Sequence, residues 1–551
     1  MSSSMSSADV SASTRLSTES LDALIVGAGP GGMYGVHRLR DLGFDVRAVE
    51  AGSDVGGTWF WNRYPGARVD IESIEYSYSF STQLEQEWVW TELMPAQPEI
   101  ERYLNHVADR FDLRRNIDFN TRITSLYYDD ATQRWHAEAD TGARYDARFV
   151  IAATGCLSAP LTPDIEGLDT FAGDSLYTNN FPKSYDFTGK RVGVVGTGSS
   201  GVQSIPVIAE TAGELSVFQR SAAYTKPANN RPLAHGELDE IKAEYPSYRA
   251  RMSKTPTGTL RFGAVSVENV PPPDRRILDA TDDEKREVLD GLGWNAPMAW
   301  GDVAFDLQAN QQATELYGEL IASVVTDPAT AKALVPDYPM GCKRQIIDTD
   351  YFATYNKPNV SLVNLKQTPI LRVTPEGIQT TDTTHDLDVI VYATGFDAMT
   401  GALERIHIHR RGGLTLKDKW KVGPSSYLGL QVAGFPNLFT ITGPGSPSVT
   451  VNMMMAVEQH IDVVADLLVH MRERGLTSVE PTAQAEQDWV EHVASLVVGQ
   501  VRGSDSCNSW YLGANIPGKP RVYMPYTGGM PRYREQCAQI AAANYTGFVL
   551  T

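Results

Sequence analysis

The glycine-rich loop Gly27-Ala28-Gly29-Pro30-Gly31-Gly32 is the strongest indication of the fold, because a second copy of its pattern, Gly196-Thr197-Gly198-Ser199-Ser200-Gly201, occurs later in the chain. Each copy follows an apolar run, Ala23-Leu24-Ile25-Val26 or Val192-Gly193-Val194-Val195. In such loops one glycine makes the tight turn, one lets the backbone approach a pyrophosphate, and one allows close packing of helix and strand. The two loops therefore predict two strand–loop–helix units that each bind a dinucleotide at a helix N-terminus.

The two units differ at the residue that closes their second apolar run. In the first unit, Glu50 stands 18 residues after the last glycine, whereas Gln219, followed by Arg220, stands there in the second. An acid at this position accepts a hydrogen bond from a ribose 2′-hydroxyl, and a neutral residue followed by arginine suits a 2′-phosphate. We therefore expect FAD in the first unit and NADP(H) in the second, an arrangement that suits electron transfer from NADPH to a flavin.

The amino-acid composition and net charge limit the kinds of protein that this chain can be. The chain has 551 residues, 42% of them hydrophobic and 21% charged, and a formal net charge of -19. The acidic balance argues against nucleic acids and anionic membranes as partners. There is no apolar run of the roughly 18–20 residues that a membrane span needs. We expect a cytoplasmic protein that is a monomer or a weak homo-oligomer.

The cysteines argue against thiol chemistry and metal binding. Cys156, Cys342, Cys507 and Cys537 lie far apart in sequence, and no CxxC or CxxxxC pair exists. A dithiol redox relay and a cysteine zinc site are therefore not indicated, and we expect no metal. In a cytoplasmic protein the default expectation is that these cysteines are reduced.

The pattern of apolar runs predicts an α/β protein with two Rossmann-like dinucleotide-binding domains. Apolar runs at 149–155 and 388–396 read as buried strands that end where the chain crosses between domains. We expect a disordered, serine-rich tail at 1–20 and a helical insertion at 228–340 in the NADP-binding domain. The predicted domain boundaries are 21–155 and 396–551 for the FAD-binding domain, and 156–227 and 341–395 for the NADP-binding domain.

Four further segments carry a family resemblance. They are Gly56-Gly57-Thr58-Trp59, Tyr64-Pro65-Gly66-Ala67-Arg68-Val69-Asp70, Gly341-Cys342-Lys343-Arg344 and the segment 509–520, SWYLGANIPGKP. In this order and spacing they resemble the class B flavin monooxygenases, and the Baeyer–Villiger monooxygenases in particular. The similarity extends from about residue 22 to 551 and is greatest to the phenylacetone and steroid monooxygenases.

The resemblance implies a reaction. In that family NADPH reduces FAD, and O2 then forms a flavin C4a-peroxide that inserts one oxygen atom next to a ketone carbonyl, giving an ester or a lactone. By family placement, Arg344 is the active-site cation and Asp70 orients it. The physical case for arginine is that it stays protonated and can stabilise negative charge that develops in the transition state.

The remaining site residues are predicted from the fingerprints and from the resemblance together. For the cofactors they are Gly27, Gly29, Gly32, Glu50, Thr58, Trp59, Asp70, Gly196, Gly198, Ser199, Gly201, Gln203, Arg220, Ser221, Lys343 and Trp510. For the substrate pocket they are Ser446, Ser448, Val449 and Thr450.

One departure from the family pattern precedes the second fingerprint. Tyr177 occupies the position of a family histidine, and Phe181 that of a tryptophan. The histidine lies on a linker that couples the two domains. Tyrosine can donate a hydrogen bond but cannot become a cation near neutral pH, so the coupling or its pH dependence is in question here.

Two alternatives stay open from the sequence alone. A sulfur or nitrogen monooxygenase needs the same cofactors without a strict requirement for the arginine. A non-oxygenating flavoprotein, such as an NADPH oxidase, would also carry both fingerprints. A disulfide reductase is disfavoured because no cysteine pair follows either fingerprint.

Overall fold

A computed structural model describes residues 19–262, 265–266, 274–410 and 412–551. Residues 1–18 of the expected tail lie outside this part of the chain. The last two residues assigned to the tail, Glu19 and Ser20, instead begin the first strand, where they pair with Tyr145 and Asp146. The first strand is therefore longer than the sequence predicts.

The regular elements are numbered in chain order within the described residues. The helices are α1 (Pro30–Asp41), α2 (Thr58–Trp61), α3 (Thr82–Glu87), α4 (Gln97–Arg110), α5 (Ser199–Ala209), α6 (Glu237–Ala243), α7 (Tyr245–Met252), α8 (Asp282–Leu292), α9 (Leu307–Val324), α10 (Pro328–Ala333), α11 (Tyr351–Thr354), α12 (Gly401–Glu404), α13 (Leu416–Lys419), α14 (Met453–Arg474), α15 (Ala483–Ser495) and α16 (Met530–Ala542). The strands are β1 (Glu19–Val26), β2 (Val46–Val49), β3 (Ile117–Asp118), β4 (Ile123–Asp129), β5 (Arg134–Ala139), β6 (Arg144–Ala152), β7 (Asp174–Tyr177), β8 (Arg191–Val195), β9 (Glu214–Gln219), β10 (Thr225–Pro227), β11 (Arg261–Phe262), β12 (Val265–Ser266), β13 (Ile346–Asp348), β14 (Val360–Asn364), β15 (Ile370–Thr374), β16 (Gly377–Thr380), β17 (Thr384–Asp386), β18 (Val389–Tyr392), β19 (His407–Arg410), β20 (Leu438–Thr440), β21 (Val479–Pro481) and β22 (Phe548–Leu550).

The first sheet has a parallel core extended by antiparallel strands. Its order is β19-β4-β5-β6-β1-β2-β3, and β20 pairs with β6. The strands β3, β2, β1, β6 and β20 run parallel, whereas β4 and β5 form antiparallel pairs. Ala23, Leu24 and Ile25 of β1 are all buried, although successive side chains point to opposite faces of the sheet. Strand β1 is therefore covered on both sides.

The second sheet is parallel throughout. Its order is β14-β9-β8-β18-β7. In each sheet the strand before the glycine loop is an inner strand, and it pairs with the strand that the Ala-Thr-Gly sequence follows. The two sheets confirm the prediction of an α/β protein with two Rossmann-like units.

The turn glycines of the two loops have the same geometry. Gly27 and Gly196 each have φ of +109°, a conformation that favours glycine. A Cβ atom added to Gly27 would lie 2.6 Å from the carbonyl oxygen of Ala153, and one added to Gly196 would lie 2.5 Å from that of Ala393. The turn therefore lets the loop pass directly against the end of the neighbouring strand.

The last glycine of each loop lets the helix pack on its own loop. A Cβ atom at Gly32 would lie 1.9 Å from the carbonyl oxygen of Gly27, and a Cβ atom at Gly201 would lie 2.1 Å from that of Gly196. The middle glycine of the second loop differs, since a Cβ atom at Gly198 would meet no atom within 4 Å. Close packing of each helix on its loop therefore requires glycine at the last position, whereas the middle glycine of the second loop borders open space.

The predicted insertion at 228–340 contributes to two different hydrophobic clusters. Tyr245, Tyr248 and Met252 of α7 belong to the cluster around α1 and β1. Helix α9 packs instead with the residues around β8 and α5. The segments 282–289 and 307–326, which have a helical pattern in the sequence, form α8 and α9. The short strands β11 and β12 also lie within 228–340, so the described part of this segment is not wholly helical. The domain boundaries stay a prediction.

The end of the chain returns to the first sheet. Strand β20 pairs with β6, and α14 contributes Ile461, Val464 and Leu468 to the same cluster as α1. The apolar stretch 453–468 has a helical pattern in the sequence. It forms the first part of α14, which continues to Arg474. This return places the loop 441–452 at the end of the parallel strands of the first sheet.

The packing of the second loop yields a prediction on stability. Gly201→Ala introduces a methyl group against a backbone carbonyl, which cannot move aside as a flexible side chain can. We expect a loss of about 1–3 kcal/mol in the free energy of unfolding, in line with the cost of overpacking. Thermal or urea denaturation of the protein without added nucleotide measures it.

Gly198→Ala is the matched control in the same loop. Its Cβ atom meets open space, and its φ of -78° suits alanine. The free energy of unfolding of Gly198→Ala should equal that of the wild type. Equal losses for both variants would contradict the packing argument.

Candidate functional site

One large cavity runs between the two glycine loops. Its volume is about 1770 Å³, compared with roughly 300–1,000 Å³ for a typical small-molecule pocket. It is lined by Gly27, Gly29, Gly196 and Gly198, and thus by the loops at the carboxyl ends of both central strands. This is the position at which open α/β sheets bind ligands.

The helices that begin at this cavity have uncapped N-termini. Gly29 is the N-cap of α1 and Gly198 the N-cap of α5, and neither helix has a side-chain cap. The free N–H groups of a first helical turn, together with the helix dipole, favour a negatively charged group such as a phosphate. Ser199 also lines the cavity at the start of α5. The donor set and the volume fit two dinucleotides.

Glu50 lies at the end of β2 and lines the cavity. One oxygen of its buried carboxylate accepts the N–H of Ala28 at 2.8 Å, and the other accepts that of Gly52 at 2.7 Å. The carboxylate thereby ties the glycine loop to the end of the second strand. Each oxygen keeps a further lone pair for a ribose hydroxyl.

Thr58 and Trp59 form the start of the short helix α2 and both line the cavity. Trp59 is buried, and its indole N–H donates to the hydroxyl of Tyr76 at 3.1 Å. Burial raises the pKa of Tyr76 to about 12, so this phenol stays neutral. Thr58 is exposed at the cavity wall.

The second unit brings two cations to one place. Arg220 is exposed, Lys343 is partly buried, and both line the cavity together with Ser221. Burial lowers the pKa of Lys343, and the positive charge of Arg220 lowers it further. Neither cation forms an ion pair within the described residues. The two cations are thus available for an anion, and the lysine ammonium also lies 4.1 Å from the ring centre of Tyr338.

Gln219, the neutral residue before Arg220, faces away from this cavity. Its side-chain amide donates to the carbonyl oxygen of Ala333 at 2.8 Å, and the side chain is buried. The position therefore offers no carboxylate that would repel a 2′-phosphate.

Gln203 joins the two domains while lining the cavity. Its amide oxygen accepts the hydroxyl proton of Tyr64 at 2.9 Å, and its amide nitrogen donates to the carbonyl oxygen of Arg68 at 2.9 Å. Gly66 packs directly against helix α5, since a Cβ atom at Gly66 would be 2.1 Å from the carbonyl oxygen of Gln203. This predicted cofactor residue therefore fastens the segment 64–68 to α5.

Asp70 and Arg344 meet in the cavity wall, although 274 residues separate them. The Arg344 Nε and Nη2 atoms lie 2.8 and 2.7 Å from the same carboxylate oxygen of Asp70, and Nη1 donates to the carbonyl oxygen of Val449 at 2.8 Å. The Asp70 carboxylate holds the pKa of Arg344 above its usual value. The site thus presents a permanent cation held from two sides.

The four predicted substrate residues are placed differently from one another. Val449 lines the cavity. Ser446 and Ser448 are fully buried away from it, and the Ser446 hydroxyl donates to the carbonyl oxygen of Gly443 at 2.7 Å. Thr450 donates to the carbonyl oxygen of Tyr526 at 2.9 Å. The structure therefore brings only Val449 of this group to the cavity wall.

The segment around Trp510 covers one side of the cavity. Trp510 lines the cavity in a 3-10 turn spanning Trp510–Leu512. The segment is held to the end of the second sheet by Asn515, which donates to the carbonyl oxygen of Phe396 at 3.0 Å, and by Lys519, which lies 2.5 Å from the carboxylate of Asp397.

Tyr177 lies at the end of the edge strand β7, within the second sheet. Its ring stacks on that of Tyr392, with centroids 4.9 Å apart, and the two residues pair directly between β7 and β18. Asn179 and Asn180, which follow, line the cavity. Phe181 is buried against Phe187. Tyr177, which stands where the family has a histidine, is therefore part of a strand that leads into the cavity wall.

A disulfide corrects the expectation that all four cysteines are reduced. Cys342 and Cys507 are bonded, with sulfur atoms 2.05 Å and Cα atoms 5.4 Å apart, across 165 residues of sequence. Cys156 and Cys537 are free and buried. A pair so distant in sequence has no local spacing signal, so only the folded chain shows it.

Sequence reasoning also missed three residues around the cation. Tyr76, Cys156 and Tyr511 all interact electrostatically with Arg344. Burial raises the pKa of the Cys156 thiol to about 11, so it stays neutral. Tyr511 lies within the segment 509–520 and could have been proposed from its position next to Trp510. The other two have no pattern in the sequence.

The residues that the structure describes lack both a membrane-spanning helix and a metal-binding cluster. None of their helices is both long and apolar enough to cross a membrane. Their histidine, cysteine and acidic side chains form no group of three or more that could hold a metal ion.

Comparisons with known proteins identify the class. The family described as pyridine nucleotide-disulphide oxidoreductase matches residues 24–254. An acetone monooxygenase (methyl acetate-forming) from Gordonia sp. (strain TY-5) is 39% identical, covering 97% of this chain and 100% of the relative. A Baeyer–Villiger monooxygenase from Pseudooceanicola batsensis (strain ATCC BAA-863 / DSM 15984 / KCTC 12145 / HTCC2597) is 37% identical, covering 96% of both chains.

Solved structures agree with this class. An oxidized steroid monooxygenase bound to NADP has 47% identity and a TM-score of 0.88, covering 96% of this chain and 99% of its own. A crystal structure of an OTEMO complex with FAD and NADP has 39% identity and a TM-score of 0.89, covering 97% and 100%.

The chain is a flavin-dependent monooxygenase with two dinucleotide domains. Within that class it belongs to the Baeyer–Villiger monooxygenases, and its cofactors are FAD and NADP(H).

The disulfide generates a prediction on stability. Cross-linking distant segments removes conformational freedom from the unfolded chain, so reducing this bond should cost about 2–4 kcal/mol of unfolding free energy. Peptide mapping under non-reducing conditions should find the peptides of Cys342 and Cys507 joined, and tris(carboxyethyl)phosphine should lower the melting temperature. The Cys342→Ala/Cys507→Ala double variant is the control, because its melting temperature should not respond to the reductant.

Proposed function

We propose that this chain uses NADPH and O2 to insert one oxygen atom next to the carbonyl of a ketone, which yields an ester or a lactone. The proposal rests on the position of the Arg344 guanidinium. It stands in the wall of the cavity between the two nucleotide loops, held by Asp70 and by the carbonyl oxygen of Val449.

The chain's own residues would hold the two cofactors in defined places. The first loop, Glu50, Thr58 and Trp59 form the wall for FAD, and the second loop with Ser199 forms the wall for NADP(H). When bound, FAD reduced by NADPH would supply the electrons that activate O2, and O2 would be the source of the inserted oxygen atom. The protein contributes the orientation of both groups and the charge around the reacting carbonyl.

Arg344 would stabilise the negative charge that develops on the carbonyl oxygen of the ketone. A guanidinium has five N–H donors, of which two point to Asp70 and one to Val449. The donors that remain can face a developing oxyanion, and a preorganised donor of this kind contributes about 3–4 kcal/mol. Asp70 sets the direction of the guanidinium plane and offsets its buried charge.

Arg220 and Lys343 would bind the 2′-phosphate of NADP(H). Both side chains line the cavity beside Ser221, and Arg220 is close enough to lower the pKa of Lys343. A dianionic phosphate between the two cations would relieve this repulsion. Gln203 contributes by holding α5 against the first domain, so that the second cofactor lies at a fixed distance from the first.

The segment 508–517 would limit the access of water to the reacting atoms. Asn508, Trp510 and Ile516 line the cavity from this segment, which is anchored by the disulfide and by the Lys519–Asp397 ion pair. Segments that cover a bound cofactor exclude water and so protect reactive species from hydrolysis or decay.

A substrate screen tests the proposed function. Purified protein loaded with FAD receives NADPH, O2 and separate panels of cyclic ketones, aryl ketones, sulfides and amines, with the products identified by mass spectrometry. We expect an ester or a lactone from at least one ketone. Turnover of sulfides or amines with no ester from any ketone would refute the proposal, as would NADPH consumption that yields hydrogen peroxide alone.

Arg344→Ala separates reduction from oxygen insertion. Because the Arg344 side chain acts on the ketone oxygen, NADPH should still reduce the flavin in the variant. Stopped-flow measurement of flavin bleaching follows this reduction. Ester formation should fall by about 100- to 1,000-fold, the loss expected for one preorganised donor. Arg372→Ala, which removes an exposed arginine bonded to Gln379, is the control and should keep both activities. Ester formation that survives in Arg344→Ala would remove Arg344 from this role.

Arg220→Ala tests the choice of nicotinamide cofactor. Loss of a charge-assisted contact with the 2′-phosphate should raise the KM for NADPH by about 10- to 100-fold, whereas the KM for NADH should change little. Steady-state kinetics with both cofactors measure this. Lys190→Ala removes a cation at the opposite end of β8 and should leave both KM values unchanged. Parallel increases for NADPH and NADH in Arg220→Ala would argue against phosphate recognition.

A further inference from the structure

The carbonyl oxygen of Val449 that accepts a hydrogen bond from Arg344 lies in a tight turn. The turn spans residues 448–451 and is closed by a hydrogen bond of 3.3 Å from its last N–H to its first carbonyl oxygen. Its central peptide joins Val449 to Thr450, and Nη1 of Arg344 donates to the carbonyl oxygen of this peptide at 2.8 Å. One peptide plane of the turn therefore holds one edge of the guanidinium.

The hydrogen bond that closes this turn does not fix the orientation of the central peptide. Turns of types I and II share the same closing bond and differ in the direction of the central peptide plane. Within the part of the chain that the structure describes, the N–H of Thr450 makes no hydrogen bond that would hold the plane. Because hydrogen bonds weaken as they bend, a rotated plane would loosen the contact between Val449 and Arg344. The direction of the Val449 carbonyl group therefore depends on contacts outside the turn.

The side chain of Thr450 makes such a contact. Its hydroxyl donates to the carbonyl oxygen of Tyr526 at 2.9 Å. The side chain is half-buried and lies outside the cavity wall, so a substrate does not meet it. Because Thr450 supplies the N–H half of the central peptide, holding its side chain also limits the rotation of that peptide.

Tyr526 is a fixed partner for this hydroxyl. It is fully buried, its N–H donates to the carbonyl oxygen of Ser446 at 2.9 Å, and its ring stacks on that of Trp489 with centroids 5.5 Å apart. Its phenol donates to the side-chain oxygen of Gln536 at 3.0 Å. The carbonyl oxygen that accepts the hydroxyl of Thr450 is therefore held by both backbone and side-chain contacts.

We propose that Thr450 is a positioning residue for Arg344, and that it acts through the direction of the Val449 carbonyl group. The hydroxyl of Thr450 holds the central peptide of the turn, and this peptide holds Nη1 of the guanidinium. Asp70 holds Nε and Nη2 of the same group from a different segment of the chain. The catalytic consequence rests on the proposed function, whereas the position of the guanidinium does not.

Thr450→Val and Thr450→Ser form a matched pair, because valine keeps the shape of the side chain without the hydroxyl and serine keeps the hydroxyl. In Thr450→Val we expect kcat for ester formation to fall about three- to tenfold, the loss expected for one hydrogen bond, with less ester formed per NADPH oxidised. Thr450→Ser should retain the wild-type values of both. The KM for NADPH and the rate of flavin reduction should be unchanged in both variants.

Thr440→Val is the control for the loss of a comparable hydrogen bond elsewhere. The hydroxyl of Thr440 also donates to a backbone carbonyl oxygen, that of Gly429, at 3.0 Å. Thr440 is buried in β20 and lies outside the cavity wall. Thr440→Val should therefore keep the wild-type kcat and the wild-type yield of ester per NADPH, even where its melting temperature falls as far as that of Thr450→Val.

Crystal structures of the FAD-loaded variants give a readout that needs no turnover. In Thr450→Val, the distance between Nη1 of Arg344 and the carbonyl oxygen of Val449 should exceed about 3.5 Å, beyond the range of a hydrogen bond. In Thr450→Ser and Thr440→Val it should stay near 2.8 Å. Thr450→Ala removes the same hydroxyl with a smaller side chain and should give the same result as Thr450→Val.

An unchanged distance from Arg344 to Val449 in both Thr450→Val and Thr450→Ala would overturn the proposal, as would equal losses of ester formation in Thr450→Val and Thr450→Ser. A wild type that forms no ester would refute the proposed function instead, and the distances would still decide whether Thr450 positions Arg344.

Discussion

The ion pair between Asp70 and Arg344 is the constraint on which the site depends. The carboxylate comes from the first nucleotide-binding unit and the guanidinium from a segment between β9 and β14 of the second, so the pair forms only when the two units are docked. A partly buried arginine needs a counter-charge, since an unpaired charge away from water is costly. The pair therefore links the correct assembly of the domains to the presence of a fixed cation in the cavity.

The docking itself depends on polar contacts of the helix α5. Gln203 binds the hydroxyl of Tyr64 and the carbonyl oxygen of Arg68, and Gly66 permits the close approach between them. This is the same chain segment that ends in Asp70. The segment therefore has two functions: it fastens one domain to the other, and it delivers the carboxylate to the cavity.

Much of the fold was accessible from the sequence because it depends on local patterns. The glycine loops, the apolar runs before them and the difference between Glu50 and Arg220 predict both Rossmann-like units and their cofactors. The same holds for α9 and α14, whose apolar periodicity is local. The sequence could not reveal that α7 packs on the first core and α9 on the second, because that depends on which apolar faces meet in space.

The two nucleotide loops and the choice of cofactors could be predicted from the sequence alone, because each is encoded in residues that are neighbours in the chain. Arg344 was predicted to be the active-site cation through a family resemblance. The surroundings of Arg344 depend instead on contacts between residues that are distant in the sequence. The disulfide joins Cys342 to Cys507 and the ion pair joins Asp70 to Arg344, although neither pair has a common spacing in the sequence. Such contacts follow from the docking of three distant segments, which no local pattern specifies.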